Sequence, residues 1–423
     1  MTPLMAVYRI LASIALPFAA RRTVAKLRKG GIDVHRTHER LGHATLERGL
    51  GDLIWIHAAS VGESKSALIL IERLLALAPS AQVLVTTGTA SSAKVLLPRL
   101  PHRAFHQFAP LDGRGPVKRF LHHWRPQIGI FIESEIWPNM ISCTHAQDVP
   151  LALLNARLSE RSARNWARAP KTARSMFGSF GIIHTQDTRT ARNIGALGLT
   201  HARIGVNLKS VLLPPTTEDL ACARLEKQFG SRPLWAAVST HPGEDEIIIE
   251  AHHRLRQLHP DPALILAPRH PNRAPAIRAM CQGHSIAQRS RDDVPDTETS
   301  IYLADTLGET DLWFKLAPLV CLCGSFGDAG GHTPFEPAAA GTAILHGPRY
   351  ANFEEVYAKF TQTEASLEVD NAETLAASLD FLIKHPDHAR ALRENAQPLL
   401  EAGLQDLDRL AVQCLKLAGI EQR

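Results

Sequence analysis

The chain has 423 residues, 45% apolar and 21% charged, which is too long for one ordinary core and too apolar for a disordered chain, so two globular domains are expected. The net charge of +5 conceals a division: residues 1–213 hold 28 lysines and arginines against 12 aspartates and glutamates, and residues 214–423 hold 19 against 30. A basic half and an acidic half on one chain call for different partners, and the basic one suits a phosphorylated ligand or a membrane surface.

The chain opens on an apolar run, Leu4 to Ala20, interrupted by Arg9 and Pro17 and followed by Arg21, Arg22, Lys26, Arg28 and Lys29. A spanning helix needs about 20 apolar residues, so the run is borderline in length. A cleaved signal peptide carries its positive charge before the apolar run, whereas here the charge follows it. The basic flank is expected to stay cytoplasmic against anionic headgroups. Residues 1–29 therefore read as an uncleaved membrane anchor or an interfacial helix, with a plain amphipathic docking helix as the alternative. This segment favours a membrane over nucleic acid as the partner of the basic half.

From Leu53 strands and helices alternate. Strands are expected at 53–59, 82–87, 128–132, 151–154 and 182–185, with helices at 64–78, 90–97 and 188–197. The pattern restarts with a strand at 234–238, a helix at 244–258 and strands at 263–267 and 316–323; Pro214 to Thr217 reads as the linker. Alternation of this kind predicts a parallel sheet covered by helices on both faces, twice over. The fold class is α/β, with two Rossmann-like domains facing a cleft and ligands at the carboxyl ends of the strands. Six cysteines show neither zinc nor disulfide spacing, and Cys321 and Cys323 alternate within an apolar run as buried thiols do. The histidines form no HExxH and no Cys/His cluster, so no metal site is expected.

Residues with chemical capacity fall at the strand ends. Ser60-Val61-Gly62-Glu63 has the spacing of a capping box, and it reads alternatively as a tight turn at Gly62 that presents Glu63 at the cleft as a general base. Glu133-Ser134-Glu135-Ile136-Trp137-Pro138-Asn139 puts two carboxylates at a buried strand end, where they are costly unless paired or used. Asn155 to Ser162 is rich in groups that bind phosphate or carboxylate, and equally reads as a solvated helix start. In the second half Ser239 to Glu244 ends a strand and opens a helix, Ala267 to Pro271 ends the next strand, and Asp305 to Glu309 precedes an apolar helix. Gly324 to Gly341 (GSFGDAGGHTPFEPAAAG) brings a glycine loop to a helix start that carries Glu336. Backbone amides in such a loop approach an anion closely, so the loop reads as an anion cradle, or blandly as a glycine-rich turn.

In this order and spacing WIHAASVGE, ESEIWPN, NARLSERS, STHPGE, LAPRHP, DTLGE and GGHTPFEPAAAG closely resemble the 3-deoxy-D-manno-octulosonic acid (Kdo) transferases of lipopolysaccharide assembly, from about Glu39 to the C-terminal helices. The resemblance implies an inverting, metal-independent glycosyltransferase of the GT-B fold without cofactors. It also implies a CMP-Kdo donor and a phosphorylated lipid A precursor of the lipid IVA type as acceptor. Residues 1–29 would then be the anchor and basic flank, 30–213 the acceptor-binding domain and 214–423 the CMP-sugar-binding domain. The body of the protein is expected at the cytoplasmic side of the cell inner membrane, with no nucleic acid partner. By motif, Glu63 matches the general base, and Glu133 and Lys209 match residues that stabilise the transition state. Pro268, Arg269, Gly308, Glu309, Thr310, Thr333, Pro334, Phe335 and Glu336 match the CMP-binding positions. Ser60, Gly62, Arg157 and Ser159 are candidates on the acceptor side. The chain departs from the family pattern at Thr333, Phe335 and Thr310, and Val206 stands between Gly205 and Asn207 where the family has none.

Overall fold

In the computed structural model, residues 2–208, 211, 220–259 and 261–422 are described, and their strands form two seven-stranded parallel sheets. The expected linker, Pro214 to Thr217, and the candidate Lys209 lie outside these residues. The first sheet holds β1 (Leu53–His57), β2 (Gln82–Thr87), β3 (Ala104–Phe108), β4 (Ile128–Ile132), β5 (Leu151–Ala156), β6 (Ile182–Thr185) and β7 (Arg203–Ile204), in the order β3-β2-β1-β4-β5-β6-β7. The second holds β8 (Leu234–Thr240), β9 (Ala263–Pro268), β10 (Ile286–Gln288), β11 (Ile301–Leu303), β12 (Leu319–Leu322), β13 (Ala343–His346) and β14 (Ser366–Glu368), in the order β10-β11-β9-β8-β12-β13-β14.

Strands buried on both faces must be apolar at every position, and the side chains show it by dividing with period two. Ile54, Ile56, Val83, Val85, Ile128 and Ile130 join one core cluster, while Leu53, Trp55, Leu84, Phe131 and Leu153 join another on the opposite face. The second sheet divides likewise, with Ala236, Val238 and Ile265 on one side and Trp235, Ala237, Leu264 and Leu266 on the other. Gly129 in β4 is required by packing, because an added Cβ would meet Leu151 at 2.9 Å and the Trp55 ring at 3.2 Å.

The chain forms two compact units, Met1–Val211 with Gly403–Arg423, and Leu212–Ala402. The last residues thus differ from the boundary read in the sequence. The helix Pro386–Ala418 gives Ala389, Leu392 and Ala396 to the clusters of the second unit, and Leu407, Leu410, Ala411, Cys414 and Leu415 to the first. Arg73 Nη2 donates to Asp408 Oδ2 at 2.6 Å on that side.

Two elements depart from expectation. The apolar run at 316–323 is the end of a helix, Thr310–Leu316, and then the strand β12, because Pro318 separates them. The helix after the glycine loop, Phe335–Ala339, has only five residues, so its dipole adds little to an anion site. All six cysteines are buried free thiols.

Candidate active site

In each sheet the strand order reverses beside the first strand of the unit, between β1 and β4 and between β8 and β12. Ligands of open α/β sheets bind at such switch points, and the motif residues gather at both.

In the first unit β1 ends at His57 and the helix Val61–Leu77 begins behind Ser60. The capping box is formed. Ser60 Oγ accepts from the Glu63 N–H at 3.3 Å, and Glu63 Oε2 accepts from the N–H groups of Ala59 (2.7 Å) and Ser60 (3.2 Å). Gly62 and Ser60 are exposed, whereas Glu63 is only 8% exposed. Burial, and next the field of Glu135, raise the Glu63 carboxyl above its ordinary value, and Glu133 adds to the rise. Glu135 goes the other way. Burial opposes its charge, but His57, with Nε2 at 3.3 Å from Oε2, and the Trp137 indole N–H outweigh it and hold the carboxyl below the ordinary value. His57 is itself fixed by Thr86 Oγ1, 3.0 Å from Nδ1. Two neighbouring carboxyls pushed apart in pKa form the arrangement in which acid and base roles divide.

Backbone strain marks the same edge. Glu133 follows β4 with φ +61°, and Asn155 in β5 has φ +53°. Non-glycine residues in this region persist only where the surroundings impose it. The Glu133 N–H donates to the Leu154 carbonyl at 2.9 Å, which sets Glu133 beside Asn155. Asn155 is fully buried, and neither its Oδ1 nor its Nδ2 finds a partner among the described residues. A pocket of about 460 Å³ opens here, lined by Glu133, Ser134, Arg157 and Ser159 on its polar side and by Trp166 and Phe177 on its apolar side. The acceptor-side candidates Arg157 and Ser159 therefore share one pocket with Glu133, and Ser159 also caps the helix Glu160–Ala167.

In the second unit the glycine loop holds an anion, but an internal one. The Glu244 carboxylate is 1% exposed and accepts from the N–H groups of His241 (2.8 Å), Gly324 (2.7 Å) and Phe326 (2.9 Å). The amides that sequence assigns to a ligand at those two loop positions are thus bound to this side chain. Gly324 has φ +76°, and an added Cβ would lie 2.7 Å from the His332 ring, so no other residue fits there. His332 stacks on His241 with Nε2 atoms 3.1 Å apart. Burial, with His241 and Arg269 beside it, pushes His332 down to about 4.

Pro268 is buried in register with Thr240, and Arg269 is exposed, its N–H donating to the Thr240 carbonyl at 3.1 Å. Gly308 has φ +86°, and the Glu309 carboxylate is taken by Arg289 at 2.7 and 3.1 Å and by the Thr306 hydroxyl, which hold it below the ordinary value. Thr310 opens the next helix. Thr333 and Glu336 are half-buried, while Pro334 and Phe335 are buried, and the Phe335 ring packs edge-on against Phe360 at 5.4 Å. Phe335 and the Glu309 carboxylate are therefore occupied by the fold itself. Sequence reasoning did not single out His57 or His332. A polar residue inside an apolar strand was the available signal for His57.

Residues 35–211 match the family model described as 3-deoxy-D-manno-octulosonic-acid transferase (kdotransferase). The chain is 36% identical to the 3-deoxy-D-manno-octulosonic acid transferase of Rickettsia felis, over 84% of this chain and 77% of that one. It is 32% identical to the same enzyme of Rickettsia bellii over 96% and 97%, and 30% identical to that of Haemophilus influenzae over 84% and 85%. Among solved structures, the UDP-GlcNAc 2-epimerase of Neisseria meningitidis matches 86% of this chain and 99% of its own with a TM-score of 0.59 at 11% identity. A glycosyltransferase from Rickettsia africae matches 87% and 99% with a TM-score of 0.58 at 11% identity. Likeness at such low identity concerns the fold, which is GT-B.

Proposed function

The chain belongs to the Kdo transferase family of glycosyltransferases, and from that premise we propose that it moves Kdo from CMP-Kdo to a phosphorylated lipid A precursor at a membrane surface, with Glu63 as the general base. The observation that carries the assignment of the base is the divergence of Glu63 and Glu135 at the β1/β4 switch point. A carboxylate raised above its ordinary value is a better proton acceptor near neutral pH than an unperturbed one. The N–H groups of Ala59 and Ser60 bond to its Oε2 and orient the group.

In this mechanism Glu63 takes the proton from an acceptor sugar hydroxyl as its oxygen attacks the anomeric carbon of Kdo. The bond from that carbon to the CMP phosphate oxygen breaks on the opposite face, CMP leaves with the electron pair, and configuration inverts. Arg269 is the cation proposed to meet the phosphate, and Glu336 is proposed to accept from the ribose hydroxyls. Glu133 and Lys209 are proposed to stabilise the developing charge. The pocket beside Glu133, with Arg157 on its rim and an aromatic wall, supports a phosphorylated acceptor with apolar parts. The basic first half and the apolar N-terminal helix support a cytoplasmic face of the inner membrane as the workplace. Mass spectrometry of lipid A precursor incubated with the protein and a CMP-Kdo generating system should show added Kdo residues. Release of free Kdo at the same rate with and without precursor would overturn the proposal.

A further inference from the structure

The N-terminal helix Pro3–Lys29 is long and apolar enough to cross a membrane, with a mean hydropathy of 1.6 over its best window. It nevertheless lies along the first unit for its whole length, about 40 Å at 1.5 Å per residue. Thr2 Oγ1, at its N-cap, is 2.8 Å from Thr172 Oγ1. One to two turns on, the Tyr8 hydroxyl donates to Asp112 Oδ2 at 2.7 Å and Arg9 Nη2 to Ser142 Oγ at 3.1 Å. Leu16 covers Gly113, where an added Cβ would stand 3.1 Å from both its methyl groups. At the far end Leu27 is buried in a cluster with Ala93 and Phe108.

The other side of the helix is uncovered. Leu4, Val7, Ile10, Leu11, Ile14 and Phe18 are 51–71% exposed. At 100° per residue these six fall within an arc of about 120°, opposite Met5, Arg9, Leu16 and Leu27. Behind the stripe come Arg21, Arg22, Lys26, Arg28 and Lys29, all exposed. An apolar stripe beside five cations matches one surface, an anionic lipid leaflet. Spanning would require either breaking the bonds of Thr2, Tyr8 and Arg9 or carrying Asp112 and Ser142 into hydrocarbon, where unpaired polar groups are not tolerated.

We propose that this helix is monotopic: it lies flat in the surface of an anionic leaflet, fastened to the first unit through Thr2, Tyr8 and Arg9, with Leu4, Val7, Ile10, Leu11, Ile14 and Phe18 in the acyl layer. The inference rests on the membrane reading above and fixes its geometry. Besides Tyr8, the Asp112 carboxylate receives the N–H groups of Asn139 (3.1 Å) and Met140 (2.7 Å), at the start of the helix Pro138–His145 that follows Glu133 to Trp137. Asp112 thus ties the helix Pro3–Lys29 to the start of the helix Pro138–His145.

Depth measurement tests this on the full chain. Leu4→Cys, Leu11→Cys and Phe18→Cys, each made singly, place a nitroxide on the exposed stripe, and the six native cysteines are buried. In vesicles of phosphatidylethanolamine and phosphatidylglycerol, relaxation by oxygen against a water-soluble nickel chelate reports depth. A flat helix puts all three labels at one depth, about 5–10 Å into the headgroup and acyl boundary. Labels at Leu4 and Phe18 differing by about 21 Å, the rise over the intervening residues, would overturn the flat orientation while leaving membrane attachment standing. All three labels in water would overturn both.

Discussion

Replacing Glu63 by Gln separates the two roles that one side chain combines. Gln retains an oxygen that can accept from the Ala59 and Ser60 N–H groups, so loss of capping should cost no more than about 1 kcal/mol. Against a total stability of about 5–15 kcal/mol, that leaves nearly every molecule folded. A neutral amide cannot take a proton at neutral pH, and losing a general base typically costs about 10²- to 10⁴-fold in rate, or roughly 3–5 kcal/mol of barrier. The kinetic effect should therefore exceed the structural one by an order of magnitude or more. The pH dependence carries a second signature. Burial and Glu135 raise the Glu63 carboxyl, so the folded protein holds that proton more tightly than the unfolded chain, and wild-type stability is lost as pH rises from the ordinary value of 4.5 through the raised one. Glu63→Gln lacks this loss, and its melting temperature should gain on wild type across that window. Turnover and melting temperature are measured on one preparation. Asn371→Ala is the control, because Asn371 forms a second capping box, on the helix Ala372–Lys384. More than about a tenth of wild-type turnover in Glu63→Gln, or an equal fractional loss in Asn371→Ala, would refute the reasoning.

On the donor side, Arg269→Ala and Glu336→Ala should each weaken CMP binding about ten- to a hundredfold, the range of a lost charge-assisted hydrogen bond, and calorimetry showing wild-type affinity would remove the nucleotide from this edge. Glu244→Gln cannot accept three N–H groups as well as a carboxylate does, so it should lower stability by about 1–3 kcal/mol and weaken CMP binding with it; an unchanged melting temperature would mean that the loop does not depend on that residue.

Much of the architecture was legible because parallel strands covered on both faces are continuous apolar runs, as at Leu53 to Ala59 and Ile128 to Ile132. β3 was not, because His106 and Gln107 interrupt it. Both are buried, and the two His106 ring nitrogens and the Gln107 Oε1 are met by Arg36, Thr87 and Trp124, partners that no local pattern announces. The destination of the C-terminal helix was hidden for a related reason: an apolar stripe declares that it will be buried, not in which core. At the candidate site the motifs located Glu63 and Arg157, yet the spacing of Ser60 and Glu63 fits a cap and a base alike. The pairing beside Glu63 is non-local, since His57 and Glu135 meet only when β1 and β4 lie side by side. The five-residue extent of the helix at Phe335 was equally out of reach, because three alanines favour continuation and the positive φ of Gly341 ends it.

The carboxylate of Glu244 has a further consequence for the glycine loop. Loops rich in glycine are costly to immobilise, and a ligand that must order one spends part of its own interaction energy doing so. Here Gly324 and Phe326 are already tied to a side chain 80 and 82 positions away, and that carboxylate is in place whether or not a nucleotide arrives. The ordering entropy of this turn is thus settled during folding. Nucleotide affinity should then respond little to the intrinsic flexibility of the turn, and its backbone should keep one shape in the free and the ligated protein.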